Sequence, residues 1–133
     1  MQHPANTIAT AAGWLSRRLG RGGGTTLPGA LITKWRPQAV RSMRGKLTDG
    51  ALVISATNGK TTTARLIVSC LRSDGRTLVT NPSGANLMSG VASALLAAPA
   101  HPLVPALGVF EVDEAALPAI ADQLAPRVVL LMN

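Results

Sequence analysis

Four short apolar runs, three of them followed by a loop and a helical pattern, constrain this chain more than any other feature. They cover residues 51–55 (ALVIS), 77–80 (TLVT), 107–112 (LGVFEV) and 128–132 (VVLLM). Runs without polar alternation belong to strands buried on both faces, and strands separated by helices form parallel sheets. After the first run, Leu66, Ile67, Cys70 and Leu71 predict an apolar helix face that ends near Asp74-Gly75, with Cys70 as a core thiol. Residues 87–98 predict an Ala-rich helix stopped by Pro99, and residues 114–124 one closed by Pro126. Only Asn133 follows the fourth run, so the expectation is an interrupted α/β domain that lacks the helix covering that strand.

The first 50 residues read differently. Ile8, Ala12, Leu15 and Leu19 recur at helical spacing over residues 7–19, with Asn6 or Thr7 as cap, and the glycines at 20 and 22–24 end that helix. Residues 22–29 are expected to form a glycine-rich loop. A second helical region, 30–46, is broken near Arg36-Pro37, because proline disfavours the α conformation before it. Residues 1–50 hold eight basic side chains and one acid, whereas residues 51–133 hold five of each. The net charge of +7 therefore belongs to the first segment, and a basic helical region (1–50) precedes the α/β part (51–133).

Composition removes several function classes. Aromatic residues are 2% of the chain, too few to stack the bases of single-stranded nucleic acid. A lone cysteine excludes an intrachain disulfide or multi-cysteine metal site. No apolar run reaches the roughly 18 residues of a membrane helix. The start does not read as a signal peptide, since Arg17-Arg18 follow the apolar stretch instead of preceding it. The expected location is the cytoplasm.

Three segments carry chemistry. Thr57-Asn58-Gly59-Lys60-Thr61-Thr62 leaves a strand and opens a helix, the setting of a phosphate loop. Helix-start N–H groups and the helix dipole favour an anion there, Lys60 would reach the β- and γ-phosphates, and the Thr61 hydroxyl would coordinate Mg²⁺. The general pattern asks for a glycine where Ile54 stands, so the reading rests on the Gly-Lys-Thr-Thr core and its context. Glu111-Val112-Asp113-Glu114 ends the third strand. Ligands of open α/β sheets bind at such carboxyl ends, where Glu111 can serve Mg²⁺. For Asp113 and Glu114, acids complementing a helix N-terminus are an equal alternative. The loop Thr80-Asn81-Pro82-Ser83-Gly84-Ala85-Asn86 lies at the same edge. Asn81, Ser83 and Asn86 suit a polar substrate there, or an ordinary turn. His3 and His101, beside prolines, carry no catalytic assignment.

The run from Thr57 to Thr62 resembles the phosphate loop of the Mur ligase family, ATP-dependent amide-forming enzymes of peptidoglycan synthesis. Folylpolyglutamate synthases share the loop but usually lack the threonine after lysine, so Thr61-Thr62 leans toward the Mur side. Residues 23–29 (GGTTLPG), 81–87 (NPSGANL) and 111–114 (EVDE) resemble the MurT branch of that family, the ligase subunits of lipid II isoglutaminyl synthase. The resemblance implies a P-loop sheet of the Mur central-domain type, with ATP and Mg²⁺ as cofactors. It implies that the α-carboxyl of D-glutamate in the lipid II stem peptide is phosphorylated by ATP. Ammonia from a GatD-type glutaminase partner then attacks the acyl phosphate to give D-isoglutamine. Lys60 and Thr61 match the family's phosphate and Mg²⁺ positions, and Glu111 matches a carboxylate that serves Mg²⁺ either directly or through another ligand. The branch carries a four-cysteine zinc ribbon and a C-terminal domain that this chain does not show, so the expectation is an N-terminal fragment, inactive alone.

Two other readings compete. One is a different Mur-type or folylpolyglutamate-synthase-like ligase with another acceptor. The other is a non-enzymatic basic module for nucleic acid or a membrane surface, suggested by a pI near 11.4. The second leaves Gly59-Lys60-Thr61 and Glu111 unexplained. The basic segment is also compatible with peripheral contact of a lipid II enzyme with the inner membrane face. No nucleic acid is expected as partner.

Overall fold

The computed structural model describes residues 26–101 and 103–133. The expected helix over 7–19, the glycines at 20 and 22–24, and Arg17, Arg18 and Arg21 lie outside them.

Among the described residues four strands form one parallel sheet: β1 (Ala51–Ala56), β2 (Thr77–Thr80), β3 (Ala106–Val112) and β4 (Val128–Met132), in the order β2-β3-β1-β4. In β1, Ile54 lies opposite Glu111 of β3 and Leu130 of β4, so these strands end level. Thr80 at the end of β2 lies opposite Val109. The helices are α1 (Leu27–Trp35), α2 (Ala39–Met43), α3 (Lys60–Arg72), α4 (Met88–Ala97) and α5 (Leu117–Leu124), with a 3-10 turn at Arg44–Lys46. The break expected near Arg36-Pro37 separates α1 from α2.

Both faces of the sheet are apolar, which is why the strands show no alternation. On one face Val53, Val79, Phe110 and Val112 meet Ile32 of α1, Val40 of α2, Val91 and Leu95 of α4 and Ile120 of α5. On the other, Ile54 and Val109 meet Ala64 of α3, with Ile67, Val68 and Leu71 packed around them. The described part of the basic segment therefore shares the sheet's core. Helices α1 and α4 touch closely. The Gly29 N–H donates to Ser93 Oγ at 2.8 Å, and a Cβ at Gly29 would lie 1.8 Å from Ser89 O.

Three expectations are corrected. Leu27, Pro28 and Gly29, expected in the glycine-rich loop, open α1 instead, because proline suits the first turn of a helix. Cys70 is exposed, and Leu66 is 64% exposed. The stripe of α3 that meets the sheet is Ala64, Ile67, Val68 and Leu71, and small Ala64 holds the place nearest the strands. Helix α5 begins at Leu117 instead of residue 114, with Pro118 in its first turn. Asp113 delays it: its carbonyl accepts from Ala116 N–H and its Oδ1 from Ala115 N–H, making a turn. Among the described residues no helix is long and apolar enough to cross a membrane.

Candidate functional site at the carboxyl edge of the sheet

Strand β1 delivers the chain to Thr57, Asn58 and Gly59, all exposed at the carboxyl edge. Gly59 has φ +79°, a left-handed conformation that a side chain would strain, and it turns the chain directly into α3. Lys60 begins α3. Its ammonium donates to Ala56 O and stands 3.6 Å from Glu114 Oε2. Exposed Glu114 has its carboxyl held below the usual range by its own backbone N–H, then by the Thr57 side chain, with Lys60 adding to this. Its placement over the loop was not legible, since a helix N-terminus explains the same acid equally well.

Thr61 Oγ1 donates to Glu111 Oε2 at 2.7 Å and lies 3.4 Å from Ser83 Oγ. Three segments up to 50 residues apart in sequence thus converge on one hydroxyl. Glu111 is only 7% exposed and lies on the α3 face of β3, two residues beyond Val109. The two oxygens of Thr61 and Glu111 suit Mg²⁺, which takes oxygen ligands and commonly uses one or two protein groups besides phosphate oxygens. Among the described residues no group of three or more His, Cys, Asp or Glu could hold a metal ion.

Asn81 turns inward. It is buried, its amide N–H₂ donates to Ala85 O (2.7 Å) and Glu111 O (2.8 Å), and its Oδ1 accepts from Glu111 N–H (2.9 Å). The side chain thus extends the β2–β3 ladder by one peptide unit while the backbone leaves β2 to form the 82–86 loop. Asn81 fixes Glu111 in place, and both ends of its amide are already committed. Asn86 contributes its carbonyl to Asp113 N–H at 2.9 Å. Thr62 and Asn58 are exposed, as is His101 in its loop.

Beside Thr61, toward β2, an open cavity of about 200 Å³ separates α3 from the β2–β3 edge. Arg65, Arg72, Thr80, Ser83 and Glu111 contribute to its walls. The two arginines carried no functional reading in the sequence. Their spacing of seven on α3, which places them on one face, was the available signal.

No protein-family model matches the chain. It is 35% identical over 116 residues to the MurT subunit of the glutamine-hydrolysing lipid II isoglutaminyl synthase of Streptococcus pneumoniae, covering 87% of this chain and 25% of that one. It is 31% identical over 132 residues to the MurT subunit of Staphylococcus aureus, covering 99% of this chain and 29% of that one. The chain thus spans little more than a quarter of the length of these relatives. The family recognised from the loop and edge motifs is therefore the one the comparisons return: over most of its length this chain is similar to MurT subunits of lipid II isoglutaminyl synthase.

Proposed function

We propose that this chain is the ATP-binding part of an ATP-dependent amide ligase. On this reading the whole enzyme amidates the α-carboxyl of D-glutamate in the lipid II stem peptide to D-isoglutamine, with ammonia from a GatD-type glutaminase subunit. The sheet is then the first part of a Mur-type central domain, and the loop from Thr57 to Thr62 is its phosphate loop. The observation that carries the reading is the 2.7 Å bond from Thr61 to Glu111, because it joins the loop to an oxygen ligand at the carboxyl edge. The similarity to MurT subunits supports the acceptor and the partner.

Each residue has a part. The N–H groups at the start of α3 and the Lys60 ammonium bind the phosphates. Lys60 leaves Glu114 and Ala56 O to do so. Thr61 and Glu111 would hold Mg²⁺, which supplies charge neutralisation for the transferring phosphoryl group. Asn81 keeps Glu111 at the depth where its carboxylate meets Thr61. Ser83 and Asn86 line the same edge on the acceptor side.

Equilibrium binding of ATP to Lys60→Ala tests the assignment. A charge-assisted bond to phosphate contributes about 1.5–3 kcal/mol, so affinity should fall roughly tenfold to a hundredfold. Unchanged affinity would remove the loop from the nucleotide site.

A further inference from the structure

The cavity between α3 and the β2–β3 edge has an unusual electrostatic balance. Thr61, Arg65, Val68 and Arg72 follow one another at helical spacing along α3, and the last three line the cavity. Among the described residues neither Arg65 nor Arg72 is paired with an acid; the ion pairs there use Arg41, Lys60 and Arg76. The one acid in the wall is Glu111, and its Oε2 already accepts from Thr61. Two guanidinium groups thus face a concavity whose opposite rim offers the hydroxyl groups of Thr80 and Ser83. Guanidinium donors on one side and hydroxyl donors on the other outnumber the single carboxylate of Glu111, one oxygen of which is taken by Thr61, and this excess of donors suits an oxyanion. Guanidinium forks suit the two oxygens of a carboxylate in particular.

Position separates this cavity from the nucleotide loop. That loop leaves β1, whereas the cavity opens toward β2, two strands away, and Thr61, hydrogen-bonded to Glu111 and near Ser83, joins the two. We infer that the cavity is a carboxylate-binding subsite for the acceptor, in which Arg65 and Arg72 hold an anionic group of the acceptor beside Thr61. The inference rests on the proposed ligase reading for its acceptor, but the arginine site itself can be tested apart from any nucleotide.

The whole chain, labelled with ¹⁵N, would be titrated by NMR with N-acetyl-D-glutamate and, separately, with the α-amide of that compound. The acid should give saturable shifts at the 65–83 segment and bind more tightly than the amide. In Arg65→Gln/Arg72→Gln its affinity should fall about tenfold or more, while that for Mg²⁺–ADP stays within about twofold. The Arg65→Lys/Arg72→Lys form should recover part of the loss, because charge returns without the fork. Equal binding of the acid to parent and glutamine variant, or no saturable binding to the parent, would overturn the proposal. A parallel loss of Mg²⁺–ADP affinity would assign the arginines to the nucleotide and overturn it equally. If the parent binds the acid through the arginines but binds no Mg²⁺–ADP, the nucleotide reading falls and the subsite stands.

Discussion

At the residue scale, the site depends on two carboxyl-edge side chains with opposite tasks. Glu111 presents its carboxylate to Thr61, whereas Asn81 spends its whole amide on the backbone around Glu111. Glu111→Gln keeps an acceptor for the Thr61 hydroxyl but removes the charge. Its unfolding free energy should change by less than about 1 kcal/mol. On the proposed ligase reading, the Mg²⁺ concentration for half-maximal ATP hydrolysis in the full-length protein should rise, and an unchanged requirement would take Glu111 out of the proposed metal site. Asn81→Ala should show the converse. It strands the N–H and C=O of Glu111 and the carbonyl of Ala85, so urea unfolding should report a loss of about 2–4 kcal/mol. Ser55 offers a third contrast, since its hydroxyl is buried with no hydrogen-bond partner among the described residues. Ser55→Ala should be neutral or stabilise by up to about 1 kcal/mol by the same measurement; a clear loss would mean that the hydroxyl has a partner in solution.

At the element scale, the strands were the most legible part of the chain. Each apolar run became a strand within a residue of its expected bounds, because burial on both faces leaves an unbroken apolar stretch. Which strand residue meets which layer was not legible, since Val53 and Ile54 look alike in a sequence yet belong to opposite faces. Cys70 and Leu66 were misplaced for a related reason. Helical periodicity gives a stripe but not its centre, and Ala64 at that centre looks too small to define it. Asn81 read as a loop residue suited equally to a substrate or to a turn, because a side chain that replaces a ladder bond resembles any turn asparagine. Contact between α1 and α4 is set by Gly29, where a methyl group would strike Ser89 O and Ser93 Oγ. Gly29→Ala should destabilise the chain by about 3 kcal/mol through overpacking. Gly45 makes the control: a Cβ there meets nothing within 4 Å, and its φ is not positive. Gly45→Ala should leave the thermal midpoint unchanged or raise it slightly, through the lower entropy of the unfolded chain.

At the scale of the whole molecule, the sheet is covered unevenly. Its centre, β3 and β1, is buried on both faces, while among the described residues β4 pairs only with β1. Leu130 and Met132 of β4 pack beneath α3. Val129 and Leu131 point the other way and are 41% and 68% exposed, an apolar stripe beside a backbone edge that no described residue pairs with. That combination templates pairing between chains unless something covers it. Neither charge nor proline guards β4, since its sequence is Val-Val-Leu-Leu-Met. A net charge of +7 opposes association at long range, but salt shortens that repulsion to about 8–10 Å at physiological ionic strength. The chain should therefore self-associate with rising concentration, and more so at higher salt, as read by sedimentation velocity. Leu131→Lys places a charge on the exposed stripe without touching the packed side of β4, and it should shift the distribution toward monomer. Persistence of the same oligomers in that variant would show that the chains meet through another surface, and the exposed face of β4 would then be merely solvated.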